Sequence, residues 1–153
     1  MERTPSTAYS RAGGFAALGG SMLVAGSMFM PWVDTTGGGI DYWHLASVGD
    51  VGADAPVYGL SVVLIPLLVL WSGLFFVWRC HETRMVWAFG GFAGTMLLYA
   101  GDLVVSRDLP AAGHGLGEVI AAAGLLVLTI GCVAAMAANI PEPVGSRVGR
   151  SPV

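Results

Sequence analysis

The chain has 153 residues, 55% of them hydrophobic and 11% charged, with a net charge of −3 and a mean hydropathy of +0.72. A soluble domain ordinarily carries about 25% charged residues, so the composition argues for a membrane protein, with length for one bundle of a few spans and no separate soluble domain. Its seven basic residues are scattered Arg and there is no Lys, which leaves nothing to build a phosphate-binding face and argues against nucleic acid as a partner.

Four apolar runs occupy positions 13–32, 57–78, 85–105 and 115–138. Each is about 20 residues long, the length a helix rising about 1.5 Å per residue needs to cross about 30 Å of hydrocarbon. Backbone polar groups in hydrocarbon must be satisfied within the segment, and none of the runs alternates with period two, so all four read as helices. The predicted fold class is all-α, an integral membrane four-helix bundle forming one domain over residues 1–138. Pro66 falls inside the second run, where it removes a backbone hydrogen bond and predicts a kink. The tail, 139–153, carries Pro141, Pro143, Gly145, Gly149 and Pro152 and has the composition of a segment without fixed structure.

Arg placement sets the orientation. Arg3 and Arg11 precede the first run, Arg79 and Arg84 flank the second connection, Arg147 and Arg150 lie in the tail, and Arg107 alone falls on the other side. Both termini are therefore expected in the cytoplasm. A cleaved signal peptide is the alternative, with Ala53, Asp54 and Ala55 as a small-x-small site, but the first apolar run ends at Met30, too far upstream, and is long enough to be retained. The first loop, PWVDTTGGGIDYWHLASVGD and the residues after it, then lies outside with Asp34, Asp41, Asp50 and Asp54 and no compensating cation. The inner turn RCHETR is so short that the second and third helices must be antiparallel neighbours.

Chemistry-bearing residues are few. Cys80 and Cys132 form no C-x-x-C pair and lie on the inner side and within the fourth run, which excludes a thiol–disulfide enzyme. His44, His81 and His114 all lie outside the spans, so no haem ligand pair is available and no cofactor is expected. Arg79, His81, Glu82 and Arg84 are the only polar cluster at the inner interface, and they read as a positive-inside turn rather than a catalytic group. Asp102, about one turn from the outer end of the third run and near Arg107, and Glu118, one turn into the fourth, are the ionisable residues nearest the bilayer. They read first as carboxylates at the outer rim. Joined by His44 or His114 they are the candidates for an outer proton or divalent-metal site, although their spacing follows no ligand motif.

Small residues say more. Gly90 and Gly94 form a G-x-x-x-G pattern, and Gly13/Ala17, Ala16/Gly20, Gly117/Ala121 and Ala134/Ala138 repeat the small-x-x-x-small theme that lets helix backbones approach closely. Gly90, Gly94 and Trp71 are the expected helix contacts. Trp32, Trp78 and Trp87 fall where an interfacial aromatic belt would lie. Gly37, Gly38 and Gly39 permit a tight turn, and Ile40, Tyr42, Trp43 and Leu45 can fold back over the outer mouth as a lid. Tyr42 and Trp43 are the expected outer contact for a partner.

In the order Pro31-Trp32, Gly37 to Gly39, Trp43, then Asp50-Val51, the first half of the chain resembles a group of small actinobacterial four-span membrane proteins. RCHETR and SRDLPAAGHG in the second half fall outside that resemblance. It implies a bacterial inner-membrane protein of non-enzymatic role, an accessory component of a larger assembly, and assigns no residue roles. Together these features lead to the expectation of a non-catalytic accessory or structural subunit of a bacterial membrane complex, respiratory or cell-envelope. Its partners would be other membrane subunits or further copies of itself, in a lipid bilayer. The alternative is a small homo-oligomeric transporter or channel with an outer acidic entrance at Asp102 and Glu118.

Overall fold

Each of the four apolar runs contains an α-helix in the computed structural model, which describes residues 5–35, 37–47, 55–77, 80–108 and 115–140. The tail beyond residue 140, Trp78, Arg79 and His114 lie outside the described residues. Helix α1 spans Pro5–Ser27, α2 Ala55–Leu74, α3 His81–Asp108 and α4 Leu116–Ala138. Between α1 and α2 lie two short strands, β1 (Pro31–Thr35) and β2 (Gly38–Asp41), and a 3-10 helix, Tyr42–Ser47.

The strands correct the expected extent of the first helix. Ser27 Oγ donates back to the Val24 carbonyl (2.7 Å), and the N–H groups of Phe29 and Met30 turn to Gly26 and Ser27 in i→i+3 bonds. Pro31 follows, and the residue before a proline is driven out of the α region. The helix therefore stops at Ser27, and what the apolar run disguised as its last turn is the start of an antiparallel hairpin pairing Thr35 with Gly38 and Val33 with Ile40. Gly38 has φ 126°, a conformation side-chain-bearing residues rarely adopt. The register slips between Pro31 and Val33, so Trp32 is the extra residue of a bulge. That slip lets two consecutive side chains, Trp32 and Val33, both point inward, 3% and 1% exposed.

The helices run alternately up and down and close a ring in which α1 touches α2, α2 touches α3, α3 touches α4 and α4 returns to α1. The α1–α4 seam is the most extensive. Ser10, Gly13, Ala17, Gly20, Val24 and Ser27 face Gly117, Ala121, Gly124, Leu128, Gly131 and Ala135, alternating three and four residues apart as in a coiled-coil seam. A Cβ on Gly13 would stand 2.7 Å from the Gly131 carbonyl oxygen, and one on Gly20 would strike the Leu128 backbone. At the end of the seam away from the hairpin the Asn139 side-chain amide donates to Ser10 Oγ (3.3 Å) and to the Ala135 carbonyl (2.6 Å), tying the two helices with buried polar groups.

The α2–α3 contact is built on indoles. The Trp71 ring lies over Gly90, where an added Cβ would be 2.6 Å from the ring, and Leu68 lies over Gly94. Trp71 Nε1 donates to the Trp87 carbonyl (2.9 Å) and Trp87 Nε1 to the Trp71 carbonyl (2.6 Å). Trp32 and Trp87, 3% and 1% exposed, thus sit inside the protein and not on the expected belt. Pro66 lies within α2, which continues through it to Leu74.

Among the described residues α4 is the one helix both long and apolar enough to cross a membrane, with a mean hydropathy of 2.5 over its apolar window. The apolar part of α2, Gly59–Leu74, is shorter. The polar first turns of α1 and α3 lower their averages, although both carry large apolar side chains on their outer faces.

Candidate functional site

The hairpin and the 3-10 helix fold over one end of the bundle. Trp32 anchors them: its indole N–H donates to the Ser27 carbonyl (2.8 Å), which also accepts from the Met30 N–H where α1 stops, and its own carbonyl accepts from the Gly115 N–H (2.8 Å) ahead of α4. The approach is close enough that a Cβ on Gly115 would strike the backbone of Pro31 and Trp32, and one on Gly117 would stand 2.8 Å from Trp32 Nε1. Tyr42 packs on Trp32 with ring centroids 4.7 Å apart, and Leu45 is fully buried beside them.

Tyr42, expected with Trp43 on an outer contact surface, therefore turns inward and is 3% exposed. Trp43 stays 44% exposed, its ring 5.9 Å from that of Phe29. The two side chains diverge because adjacent residues of a 3-10 helix point about 120° apart.

Beneath Trp32 and Tyr42 lies a cavity of about 20 Å³ on the bundle axis. Val24 from α1, Ser61 and Ile65 from α2, Leu98 from α3 and Ala121 and Leu125 from α4 make its walls. Asp102 of α3 faces it. Glu118 stands close enough on α4 for the two carboxylates to repel one another. Arg107 does not pair with it: five residues along a helix is about 140° around the axis, and the Arg107 side chain is exposed.

Of the sequence candidates, Asp102 and Glu118 are brought together, His44 is directed elsewhere, and His114 lies outside the described residues. His44 Nδ1 lies 2.6 Å from Asp41 Oδ1, and its backbone N–H caps the same oxygen at 3.1 Å. The side-chain hydrogen bond from His44 is the main cause holding the Asp41 carboxyl below its ordinary value, against an opposing effect of desolvation. Among the described residues no three His, Cys, Asp or Glu side chains gather as a metal site.

A second concavity, about 270 Å³, opens outward between α2 and α3, lined by Leu64, Leu67, Leu68, Trp71, Gly90 and Gly94. The expected contact residues Gly90, Gly94 and Trp71 thus serve the α2–α3 packing and also floor an external groove. Tyr42 was expected in a lid, but the part of Trp32 in the same roof was missed from sequence; the nearest signal was the pair of glycines at 115 and 117, which the indole needs in order to seat.

Compared with known proteins, the chain matches no family model, no curated protein and no solved structure.

Proposed function

We propose that the chain is a multi-pass integral protein of a bacterial inner membrane, with both termini cytoplasmic and the hairpin outside, acting as a non-catalytic accessory subunit of a larger membrane complex. The observation that carries the membrane part is the distribution of side-chain size. Large apolar residues stand exposed on all four helices, among them Phe15, Leu70, Phe89, Leu97, Leu126 and Ile130, while the central seam is lined by Gly, Ala and Ser. A water-soluble bundle buries its large apolar side chains and exposes charge; this pattern suits hydrocarbon outside and close backbone packing inside. The Arg distribution supports the orientation, and the resemblance to actinobacterial four-span proteins supports the bacterial setting.

The accessory role is supported by where the concave surface lies. The axial cavity has room for about one water molecule, far below the several hundred cubic ångströms of a ligand pocket. The larger groove faces outward at the level of the apolar surface, where a neighbouring subunit's helix would pack. The test is to purify a tagged full-length chain from its native membrane in mild detergent, with mass spectrometry of copurifying chains. Stoichiometric membrane subunits are expected. A monodisperse monomer with no membrane partner would refute the reading.

A further inference from the structure

The groove between α2 and α3 has a counterpart on the same chain. Helix α3 turns Val86, Gly90, Ala93, Leu97, Ala100 and Val104 outward, all of them exposed and spaced alternately four and three residues apart. That is the a/d repeat of a two-helix seam, with a at Gly90, Leu97 and Val104 and d at Val86, Ala93 and Ala100. It repeats the spacing by which α1 and α4 meet, and none of its side chains is polar.

The two flanks of this face differ in size. On the side of α2 the e positions are Gly94 and Gly101, which have no side chain, and Gly94 with Gly90 floors the groove of about 270 Å³ walled by Leu64, Leu67, Leu68 and Trp71. On the other side the g positions are Phe89 and Met96, 61% and 40% exposed. Copies of one chain share an orientation in the membrane. Two that meet through the same surface are therefore related by a two-fold axis along the bilayer normal, with their α3 helices parallel. In a parallel pair each a or d layer faces itself, and a g residue of one helix lies against an e residue of the other. Phe89 then falls against Gly94 of the second copy, at the level of its groove, and the second Phe89 does the same in return.

We propose that the groove between α2 and α3 receives Phe89 of a second copy of this chain, in a parallel homodimer built on α3. The inference rests on the membrane reading above, which gives the copies their common orientation, and it names the neighbour that packs in the groove. An unrelated subunit would have to bring its own large side chain to that depth. This chain supplies both halves of the contact, as a two-fold interface requires. The dimer uses α2 and α3, leaving α1 and α4 to face lipid or other subunits.

The test is oxidative cross-linking in native membranes of a full-length chain carrying Cys80→Ser, in which the buried Cys132 is the one natural thiol left. Ala93→Cys and Ala100→Cys, at layers that face themselves, are each expected to give a disulfide-linked homodimer. Leu126→Cys, exposed on α4, is expected to give none. Phe89→Ala removes the knob from a position exposed in the single chain, so the helices should form as before, which circular dichroism checks. It is expected to weaken self-association about tenfold, read as the fall in Ala93→Cys dimer yield when the protein is diluted in lipid. The inference is overturned if, with the protein in the membrane fraction, neither introduced thiol on α3 gives a homodimer, if Leu126→Cys cross-links as well as they do, or if Phe89→Ala leaves the yield unchanged. Coupling of the α3 thiols only to a different membrane subunit would also overturn it, while leaving the accessory role standing. Recovery of the protein in the soluble fraction would overturn the membrane reading, and the dimer with it.

Discussion

Trp71 and Trp87 each donate an indole N–H to the other's backbone carbonyl, at 2.9 and 2.6 Å, fastening α2 to α3 by two reciprocal bonds. One of them also completes a helix end. Helix α2 stops at Leu74, and the Phe75 N–H turns to the Ser72 carbonyl, so the Trp71 carbonyl is among those a helix end leaves without its i+4 partner. The Trp87 indole takes it. Burying that carbonyl without a partner would cost more than the bond contributes when made.

Trp87→Phe keeps most of the ring but removes the donor. It is expected to destabilise the protein by about 1–3 kcal/mol, the cost of leaving a buried carbonyl without its donor. Thermal unfolding in detergent measures this, and a melting temperature equal to that of the parent would show the bond to be dispensable.

The α1–α4 seam separates two opposing effects of Gly→Ala. At Gly26 a Cβ meets nothing within 4 Å, so Ala should stabilise by up to about 1 kcal/mol through helix propensity. At Gly20 it meets the backbone of Leu128 and Gly124, which no rotamer change relieves. There the overpacking cost, about 1–3 kcal/mol, exceeds the propensity gain and the protein should lose stability. Equal melting temperatures for the two variants would mean that the helices are not in backbone contact.

The lid depends on Gly117, where a Cβ would fall against the Trp32 ring. Gly117→Val should displace the indole, break its bond to Ser27 and shift the tryptophan emission to the red, with increased quenching by acrylamide. An unaltered spectrum would place Trp32 elsewhere.

Acid should loosen the lid at Asp41. Hydrogen bonding from His44 depresses its folded-state carboxyl below the ordinary 3.8. A depressed carboxyl contributes stability that is fully present above its unfolded value and is lost as the pH falls through the folded one, so the loss begins near pH 3.8 and grows below it. Emission of the neighbouring Trp43 is the readout. Asp41→Asn should remove this acid dependence; if the transition is the same in the variant, another group governs it.

The four helices were legible because runs of about 20 apolar residues have few other solutions. The hairpin was not. The helix and β1 form one continuous hydrophobic stretch, and only Pro31 marks the break. Which faces turn inward was also hard to read, since helices apolar on every side carry no amphipathic signal. The small residues do carry it. Gly90 and Gly94, and Gly117 with Ala121, stood out at four-residue spacing, whereas the buried Gly124 of α4, seven residues from both Gly117 and Gly131, has no small residue four away on either side. The bond from Asn139 to Ser10 joins residues 129 apart in sequence, beyond the reach of any local pattern. Trp32 and Trp87 look like belt residues by position, and only the folded bulge and the indole pairing place them inside.

The most direct test of the account is sided labelling with a membrane-impermeant maleimide in intact cells. Gly37 lies exposed in the hairpin turn and Cys80 exposed at the opposite end of the bundle, ahead of α3. The thiol introduced by Gly37→Cys, in a Cys80→Ser chain, should be labelled in intact cells, whereas Cys80 of the natural chain should be labelled only after the membrane is permeabilised. Labelling of Cys80 in intact cells, or recovery of the protein in the soluble fraction, would contradict the account.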